Sequence, residues 1–316
     1  MPEPVFGVVL LNWNGIADTE AALDSLLAAS PRPDHVVVVD NGSHDDSIER
    51  LQQWLTRNAA VIAAGAPVGG ERPREPWLTV IAEAENHGFA RGNNIGLTQL
   101  AASTHATHFL LLNNDATVAP DYFARMTDAL RDFPGAGLLG CVIYHHPDRD
   151  SIWFGGGYEV PYRALMLHRY ELPEQQTPHP TVFVTGCAML IARPLYDARG
   201  GLAECYTPVY WEDTEYSFRA RNSGWRVMLV PAARVYHKVG ATVGSEKTTP
   251  KVVFWQNRHR GYYVRRNYKG IDRVMAIAYL IVTKPGRSLV ELLRGRPRMG
   301  SAIFRGFVHG LIDDVA

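Results

Sequence analysis

Residues 109–115 read F-L-L-L-N-N-D, an apolar run that stops at two amides and a carboxylate. A buried strand that breaks this way sets hard oxygen atoms at the carboxyl edge of a sheet, where open α/β sheets take their ligands. Such oxygens suit a metal ion and phosphates, with Asp115 as the anionic ligand. The competing reading is that Asn113, Asn114 and Asp115 cap the following helix. Three earlier apolar runs also end in polar clusters, at Asn12/Asn14, at Asp40/Asn41/Ser43 and at Asn86/His87. In a parallel sheet these ends line one edge, so clusters scattered along the chain converge on one shared site.

Three further segments carry chemistry. Residues 86–96, N-H-G-F-A-R-G-N-N-I-G, gather glycines, amides and Arg91 at the start of a helix. Glycine permits close backbone approach, Arg91 can hold a phosphate or stack on a base, and a helix start favours anions. Residues 210–215, Y-W-E-D-T-E, place three carboxylates within four positions. Mutual repulsion can raise the pKa of one and fit it to act as a general base, or the acids can simply complement a helix dipole. His237, in V-Y-H-K, closes the last β-like run and is a metal ligand only if the fold brings it to Asp115.

The elements that must position these residues alternate. Apolar runs at 5–11, 36–39, 78–82 and 109–112 are each followed by a helical pattern, with Asp18 expected to cap the first helix and Pro120 to begin the fourth. Four strand–helix units in a row imply a mainly parallel central sheet with helices on both faces. Residues 59–76, rich in Ala, Gly and Pro, read as a surface insertion. Beyond residue 140 the strands shorten, with β character expected at 181–185, 189–192 and 226–230 and an acidic helix from Glu212. From Val252 the pattern is helical, broken at Pro285 and Pro297.

Composition narrows the class. The chain has 316 residues, 46% of them hydrophobic, which is enough for a substantial core. Net charge is zero, yet residues 257–316 hold 12 Lys/Arg against 4 Asp/Glu, leaving 20 against 28 in the rest. Three cysteines at irregular spacing suit neither a disulfide framework nor a zinc site, so a cytosolic protein with reduced thiols is expected. The amino-terminal M-P-E-P-V-F shows no signal-peptide pattern, and the apolar stretch 274–283 is too short to span a bilayer. The first strand lacks a G-x-G-x-x-G turn, which counts against a dinucleotide-dependent dehydrogenase.

Together, V-V-L-L-N-W-N-G, V-V-D-N-G-S-x-D, N-x-G-F-A-R-G-N-N-x-G, L-L-N-N-D, T-G-C-A-M-L-I-A-R, W-E-D-T-E and V-Y-H, in this order and spacing, resemble the family 2 glycosyltransferases, especially bacterial rhamnosyltransferase-like members. The resemblance covers about residues 5–268. It implies a glycosyltransferase A-type nucleotide-diphospho-sugar transferase fold, with 1–256 as catalytic domain (1–140 the nucleotide-binding half, 141–256 the acceptor half) and 257–316 as a basic helical extension. It further implies an inverting transfer from a nucleoside-diphosphate sugar, dTDP-rhamnose or a UDP-sugar, to a glycan or lipid-linked acceptor in bacterial cell-surface polysaccharide assembly. Asp40 would contact base or ribose, with Asn12, Asn14, Arg91, Asn94 and Asn114 completing the nucleotide pocket. Asp115 and His237 would hold Mg²⁺ or Mn²⁺, Gly186, Cys187, Trp211 and Glu212 would line the donor sugar and acceptor, and Asp213 would be the catalytic base. The family's metal motif carries acids at its first and last positions, whereas this chain has Asn113 at the first. An amide ligates Mg²⁺ or Mn²⁺ more weakly than a carboxylate, which leaves more of the ion's coordination to the diphosphate.

The basic carboxyl-terminal segment brackets its apolar stretch with arginines. That pattern fits the cytoplasmic face of an anionic membrane, where a lipid-linked acceptor would be presented, or a helix that packs or forms a homodimer. Nucleic acid fits less well, because charge is the only signal for it. Two rival readings are a non-catalytic nucleotide-sugar-binding protein that keeps the fold and a nucleotidyltransferase. The first would be expected to have lost Asp115, Asp213 or His237. The second should carry a Gly-rich basic phosphate loop where this chain has N-W-N-G.

Overall fold

The four opening runs are apolar at consecutive positions because both faces of the sheet they form are covered. The structure of the protein, a computed structural model, describes residues 2–64, 76–238 and 249–314. In chain order its elements begin β1 (Phe6–Asn12), α1 (Ile16–Leu27), β2 (His35–Asp40), α2 (Ser47–Ala64), β3 (Leu78–Ala82), α3 (Gly88–Ser103) and β4 (His108–Asn113). There follow β5 (Ala116–Val118), α4 (Tyr122–Asp132), β6 (Ala136–His145), β7 (Ile152–Phe154), β8 (Gly157–Val160), β9 (Leu165–His168), β10 (His179–Pro180), β11 (Ala188–Ala192) and α5 (Arg193–Arg199). The chain continues through α6 (Glu212–Asn222), β12 (Arg226–His237), α7 (Pro250–Asn267), α8 (Gly270–Leu293) and α9 (Pro297–Ile312).

The main path of the sheet runs β10-β12-β6-β11-β4-β1-β2-β3. Its β3, β2, β1 and β4 are mutually parallel, β12 is parallel to β6, and β11 runs antiparallel between β4 and β6. Alternate strand residues feed two separate cores. Val8, Leu10, Val36, Val38, Leu110 and Leu112 pack with Leu23 and Leu26 of α1, Trp54 of α2 and Phe123 of α4. Val9, Val37, Val39, Phe109 and Leu111 pack on the other face with Leu97 and Leu100 of α3 and Tyr216 of α6. A two-residue period with both faces buried therefore appears in sequence as an uninterrupted apolar run.

Several expected boundaries move. Gly15, not Asp18, stands at the N-cap of α1, and Asp18 lies in its first turn. The fourth helix starts at Tyr122 rather than Pro120. The first residues of the expected insertion continue α2 to Ala64, and 65–75 lie outside the described residues. Residues 181–185 are not a strand: Phe183 and Val184 are buried from an irregular segment, which explains their apolar character. Pro285 lies inside α8 rather than breaking it, so the apolar stretch belongs to a 24-residue helix, while Pro297 does open α9. The helical extension begins at Pro250, so position 257 lies within α7, and 140/141 falls within β6.

β12 departs furthest from expectation, running on past Val230 to His237. A proline ordinarily ends a strand because it cannot donate to the ladder. Here the register against β6 shifts between Val230 and Arg234, so Pro231 falls in a bulge and pairing resumes beyond it.

Candidate active site

The far end of β12 decides what His237 does. Antiparallel pairing of β12 with β5 sets His237 opposite Ala116, and the Lys238 N–H donates to the Asp115 carbonyl at 3.0 Å. His237 Nε2 then lies 3.0 Å from Asp115 Oδ1, with both residues buried. That approach is not aligned as a hydrogen bond, and neither Asp115 Oδ1 nor His237 Nδ1 has a hydrogen-bond partner among the described residues. A buried carboxylate oxygen left unsatisfied is costly, so it calls for a charge or donor supplied from outside the protein. Adjacent ligands of an octahedral ion at about 2.1 Å stand about 3 Å apart, so the pair fits two neighbouring positions of one divalent cation. Among the described residues no group of three or more His, Cys, Asp or Glu could hold a metal, so an ion here takes its remaining ligands from elsewhere. Helix capping by residues 113–115 is overturned: β4 ends at Asn113 and the chain enters β5 at Ala116.

The three carboxylates of α6 separate into three situations. Asp213 Oδ2 accepts the Gly186 N–H at 2.9 Å and Oδ1 accepts the Thr214 N–H at 2.6 Å, so its carboxyl group is held by backbone. Glu215 is buried and paired with Arg219 at 3.1 Å. Glu212 is buried with Oε2 unpartnered, and desolvation followed by the charge of Asp213 raises its pKa well above the usual carboxylate range. The repulsion expected from the sequence therefore acts on Glu212, favouring its neutral form. Tyr210 and Trp211, just before α6, both adopt positive φ, near +80°, a strained conformation that persists only where the surroundings enforce it.

Gly186 and Cys187 join these centres. A Cβ on Gly186 would stand 3.0 Å from the Phe89 ring and 3.5 Å from Asp213 Cβ, so glycine is what lets α3, this loop and α6 close together. The Cys187 carbonyl accepts the Asn113 N–H at 2.9 Å. Its buried thiol is pushed up chiefly by desolvation and then by the negative charges of Asp115 and Asp213. Cys187 is thus a protonated wall between the two carboxylates.

At the ends of β1 and β2, Asp40 is buried and accepts from Asn12 Nδ2 and Ser43 Oγ, each at 2.7 Å, and from the Ser43 N–H at 3.0 Å. Asn12 Oδ1 accepts from Thr19 Oγ1, and Asn114 donates to Thr19 Oγ1 and to the Gly15 carbonyl. Asn14, at φ +50°, takes the His44 N–H. The polar network is continuous along this edge: the Asn41 N–H donates to the Asn12 carbonyl and Asn41 Nδ2 donates to Asn86 Oδ1, so all four strand ends are joined.

The chain matches the glycosyl transferase family 2 profile over residues 8–200. It belongs to that family. The chain is 25% identical over 278 residues to the Sinorhizobium fredii protein y4gI, covering 85% of this chain and 28% of that protein. It is 25% identical over 291 residues to the N-acetylglucosaminyl-diphospho-decaprenol L-rhamnosyltransferase of Mycobacterium tuberculosis, covering 82% of this chain and 86% of that enzyme. Among solved structures it superposes on GalNAc-T7 with UDP, GalNAc and Mn²⁺ (TM-score 0.61, 14% identity, 84% of this chain and 51% of that one). It also superposes on the mannosyltransferase PcManGT of Pyrobaculum calidifontis with GDP-Man and Mn²⁺ (0.58, 16%, 99% and 88%) and on S. aureus TarS 1–349 with UDP-GlcNAc (0.59, 14%, 96% and 81%). At these identities the likeness speaks for the fold, which is the glycosyltransferase A type.

Within this family 2 glycosyltransferase some motif residues work differently from expectation. A Cβ on Gly92 or Gly96 would stand only 2.5 Å from Leu11 Cδ1 or 2.4 Å from Val9 Cγ1, so these glycines serve helix–sheet packing rather than a ligand. The start of α3 is not open to an anion: His87, Gly88 and Phe89 N–H groups go to Asn41 Oδ1, Asn86 Oδ1 and the Pro208 carbonyl. Asn94 commits its whole amide to Leu202 and Glu204, holding the loop that precedes α6. Arg91, by contrast, is exposed, with no hydrogen bond or ion pair to the described residues.

Support for the site also comes from the carboxyl-terminal helices, with no signal in the sequence. His259 of α7 is fully buried, with Nδ1 3.1 Å from the carbonyls of Val209 and Tyr210, and Tyr263 packs on Trp211 at 5.1 Å. Desolvation lowers His259 to about 4, so the neutral ring braces the strained turn before Asp213. A lone histidine in a helical segment gave no sign of this, because its partners lie about 50 residues earlier.

Proposed function

We propose that this glycosyltransferase moves a sugar, with inversion, from a nucleoside diphosphate to a hydroxyl of a glycan or lipid-linked glycan, and that Asp213 is the base. The observation that carries the reading is the pairing of two prepared centres: Asp115 Oδ1, buried without a hydrogen-bond partner, 3.0 Å from His237 Nε2, and Asp213 with its carboxyl group fixed beside Gly186. Asp213 accepts the acceptor's proton as the hydroxyl oxygen bonds to the anomeric carbon. The bond from that carbon to the diphosphate breaks, and its electron pair leaves with the diphosphate. Asp115 and His237 would hold the divalent ion, which when bound neutralises charge on the diphosphate. An imidazole ligand favours Mn²⁺ over Mg²⁺, and structural neighbours solved with Mn²⁺ beside UDP or GDP-Man are consistent with that preference.

Glu212 is the poorer base because burial favours its protonated form, and Glu215 is engaged by Arg219. On the donor side Asp40 and Arg91 would meet base, ribose or phosphate, with Asn12, Asn14 and Asn114 keeping that edge in shape. Trp13, 40% exposed at the end of β1, offers a face on which a base could stack. The rhamnosyltransferase relative makes dTDP-rhamnose the first donor to test. A panel of nucleotide sugars with Mn²⁺ should give one that raises the unfolding temperature by several degrees. If none does so in wild type, the transfer reading fails.

The carboxyl-terminal helices would bring the enzyme to its acceptor. No helix among the described residues is long and apolar enough to cross a membrane. Yet α8 exposes Ile271, Val274, Ile281, Val282 and Leu293, and α9 exposes Phe304, beside the cationic Arg273, Arg287 and Arg294. An apolar face edged by arginines suits peripheral docking on an anionic cytoplasmic membrane surface. The enzyme should co-sediment with vesicles containing phosphatidylglycerol and be released by high salt. A dimer in solution that ignores such vesicles would assign this face to self-association.

A further inference from the structure

A cavity of about 1060 Å³ lies between α6 and the helices α7 and α8, with Asp213 and Trp211 on one wall and Arg260, Lys284, Arg287 and Val290 on another. Two of these cations are out of water: Arg260 is 7% and Lys284 6% exposed. Arg260 reaches the Arg163 carbonyl through one amino group while its Nε has no partner, and Lys284 Nζ is held by Asn257 Oδ1. Neither they nor Arg287 form an ion pair with any described residue. None of the carboxylates that share the cavity pairs directly with them. Glu291 pairs with Arg294 and Arg296, Glu212 favours its neutral form, and Asp213 is fixed by Gly186 and Thr214. The three cations also act on one another: Arg260 and Arg287 reinforce desolvation in pulling Lys284 down to about 7, and Arg287 helps to lower Arg260 to about 10.

Buried cations without a counter-charge are normally removed or neutralised, because each costs several kcal/mol. Their retention in a cavity that also contains Asp213 is understandable if a bound anion supplies the missing charge. We propose that Arg260, Lys284 and Arg287 form an anion site for a phosphate or diphosphate group of the acceptor, separate from the centre at Asp115 and His237 that serves the donor. The acceptor is then a phosphorylated molecule whose anionic group anchors it while its hydroxyl meets Asp213. The assignment rests on the glycosyltransferase reading for the word acceptor, but not for the anion site itself.

Calorimetric titration of the full chain in excess chelator tests it, with inorganic diphosphate and geranyl diphosphate as probes. For each probe the affinities of wild type and Asp115→Asn should agree within threefold, and Lys284→Gln and Arg287→Gln should bind it at least tenfold more weakly. Arg287 is exposed, so its variant keeps the test valid if Lys284→Gln alters packing. A prenyl probe at least tenfold tighter than inorganic diphosphate names a lipid headgroup as the source; equal affinities name a water-soluble phosphate; either upholds the site. No binding in wild type, binding unchanged in both cation variants, or loss confined to Asp115→Asn overturns it. If a nucleotide sugar protects the enzyme while diphosphate fails this test, the anion site falls and the transferase reading stands; the reverse pattern removes the reading and leaves the site.

Discussion

The carboxyl ends of β1 and β2 and the cavity under α8 both bury charge, but they treat it in opposite ways. Asp40 is surrounded by Asn12 and Ser43, whose donors come from the same short polar turns and satisfy the carboxylate within the fold. Lys284 and Arg260 come from helices whose neighbours supply an amide and a carbonyl but no acid. The first arrangement is rigid and complete before any ligand arrives. The second is electrostatically incomplete, and its imbalance is what a charged partner would correct. Asp115 and His237 stand between these cases, paired in space yet each with an atom unsatisfied. Preorganised groups give specificity at small reorganisation cost, whereas an uncompensated charge gives affinity for whatever neutralises it.

Substitutions can break the comparison at each point. The largest effect is expected for Asp213→Asn, which keeps shape but cannot accept a proton: transfer should fall by about 10³-fold in kcat while nucleotide affinity stays within threefold. Turnover near wild type would move the role of base to Glu212. Next, excess chelator should abolish transfer and Mn²⁺ restore it, and His237→Ala should lose about 100-fold at fixed Mn²⁺. Full activity in chelator would remove the metal role of Asp115.

The smallest effects are on stability, and their opposite signs test the comparison directly. Asp40→Asn turns a satisfied acceptor into a group facing other donors and should destabilise by about 2 kcal/mol in urea unfolding. Lys284→Gln should stabilise. Its folded pKa of about 7 lies below the ordinary 10.5, so below pH 7 both states are charged and the fold bears the full cost. Between about 7 and 10.5 the unfolded chain binds the extra proton and wild-type stability climbs with pH. The advantage of the variant should therefore be greatest at pH 6, on the order of a few kcal/mol, and vanish towards pH 10.5. A constant difference across that range would mean that Lys284 is already neutralised.

Much of the site was legible in the chain. The runs ending at Asn12, Asp40 and Asn113 could be placed along one edge because consecutive strand–helix units pack in parallel, and that rule is local and general. Asp115 and Asp213 stood out by residue type. The glycines of 86–96 are ambiguous, because a glycine that admits a ligand and one that admits a neighbouring strand look the same in sequence; Leu11 and Val9 of β1 settle Gly92 and Gly96. The motif points Asn94 at the nucleotide, but its amide is spent on Leu202 and Glu204, over a hundred residues away.

By itself the sequence determined the doubly covered sheet, the polar strand ends and the acids that can do chemistry, because hydrophobic period and side-chain type act over short distances. Tertiary structure decided which of them meet. A bulge at Pro231 carries β12 far enough to put His237 beside Asp115, and burial separates Glu212 from Asp213 although the two are adjacent in the chain. Helices α7 and α8 turn a basic tail into the wall of a cavity. Distance and desolvation in three dimensions set those outcomes, and neither is written in the spacing of residues.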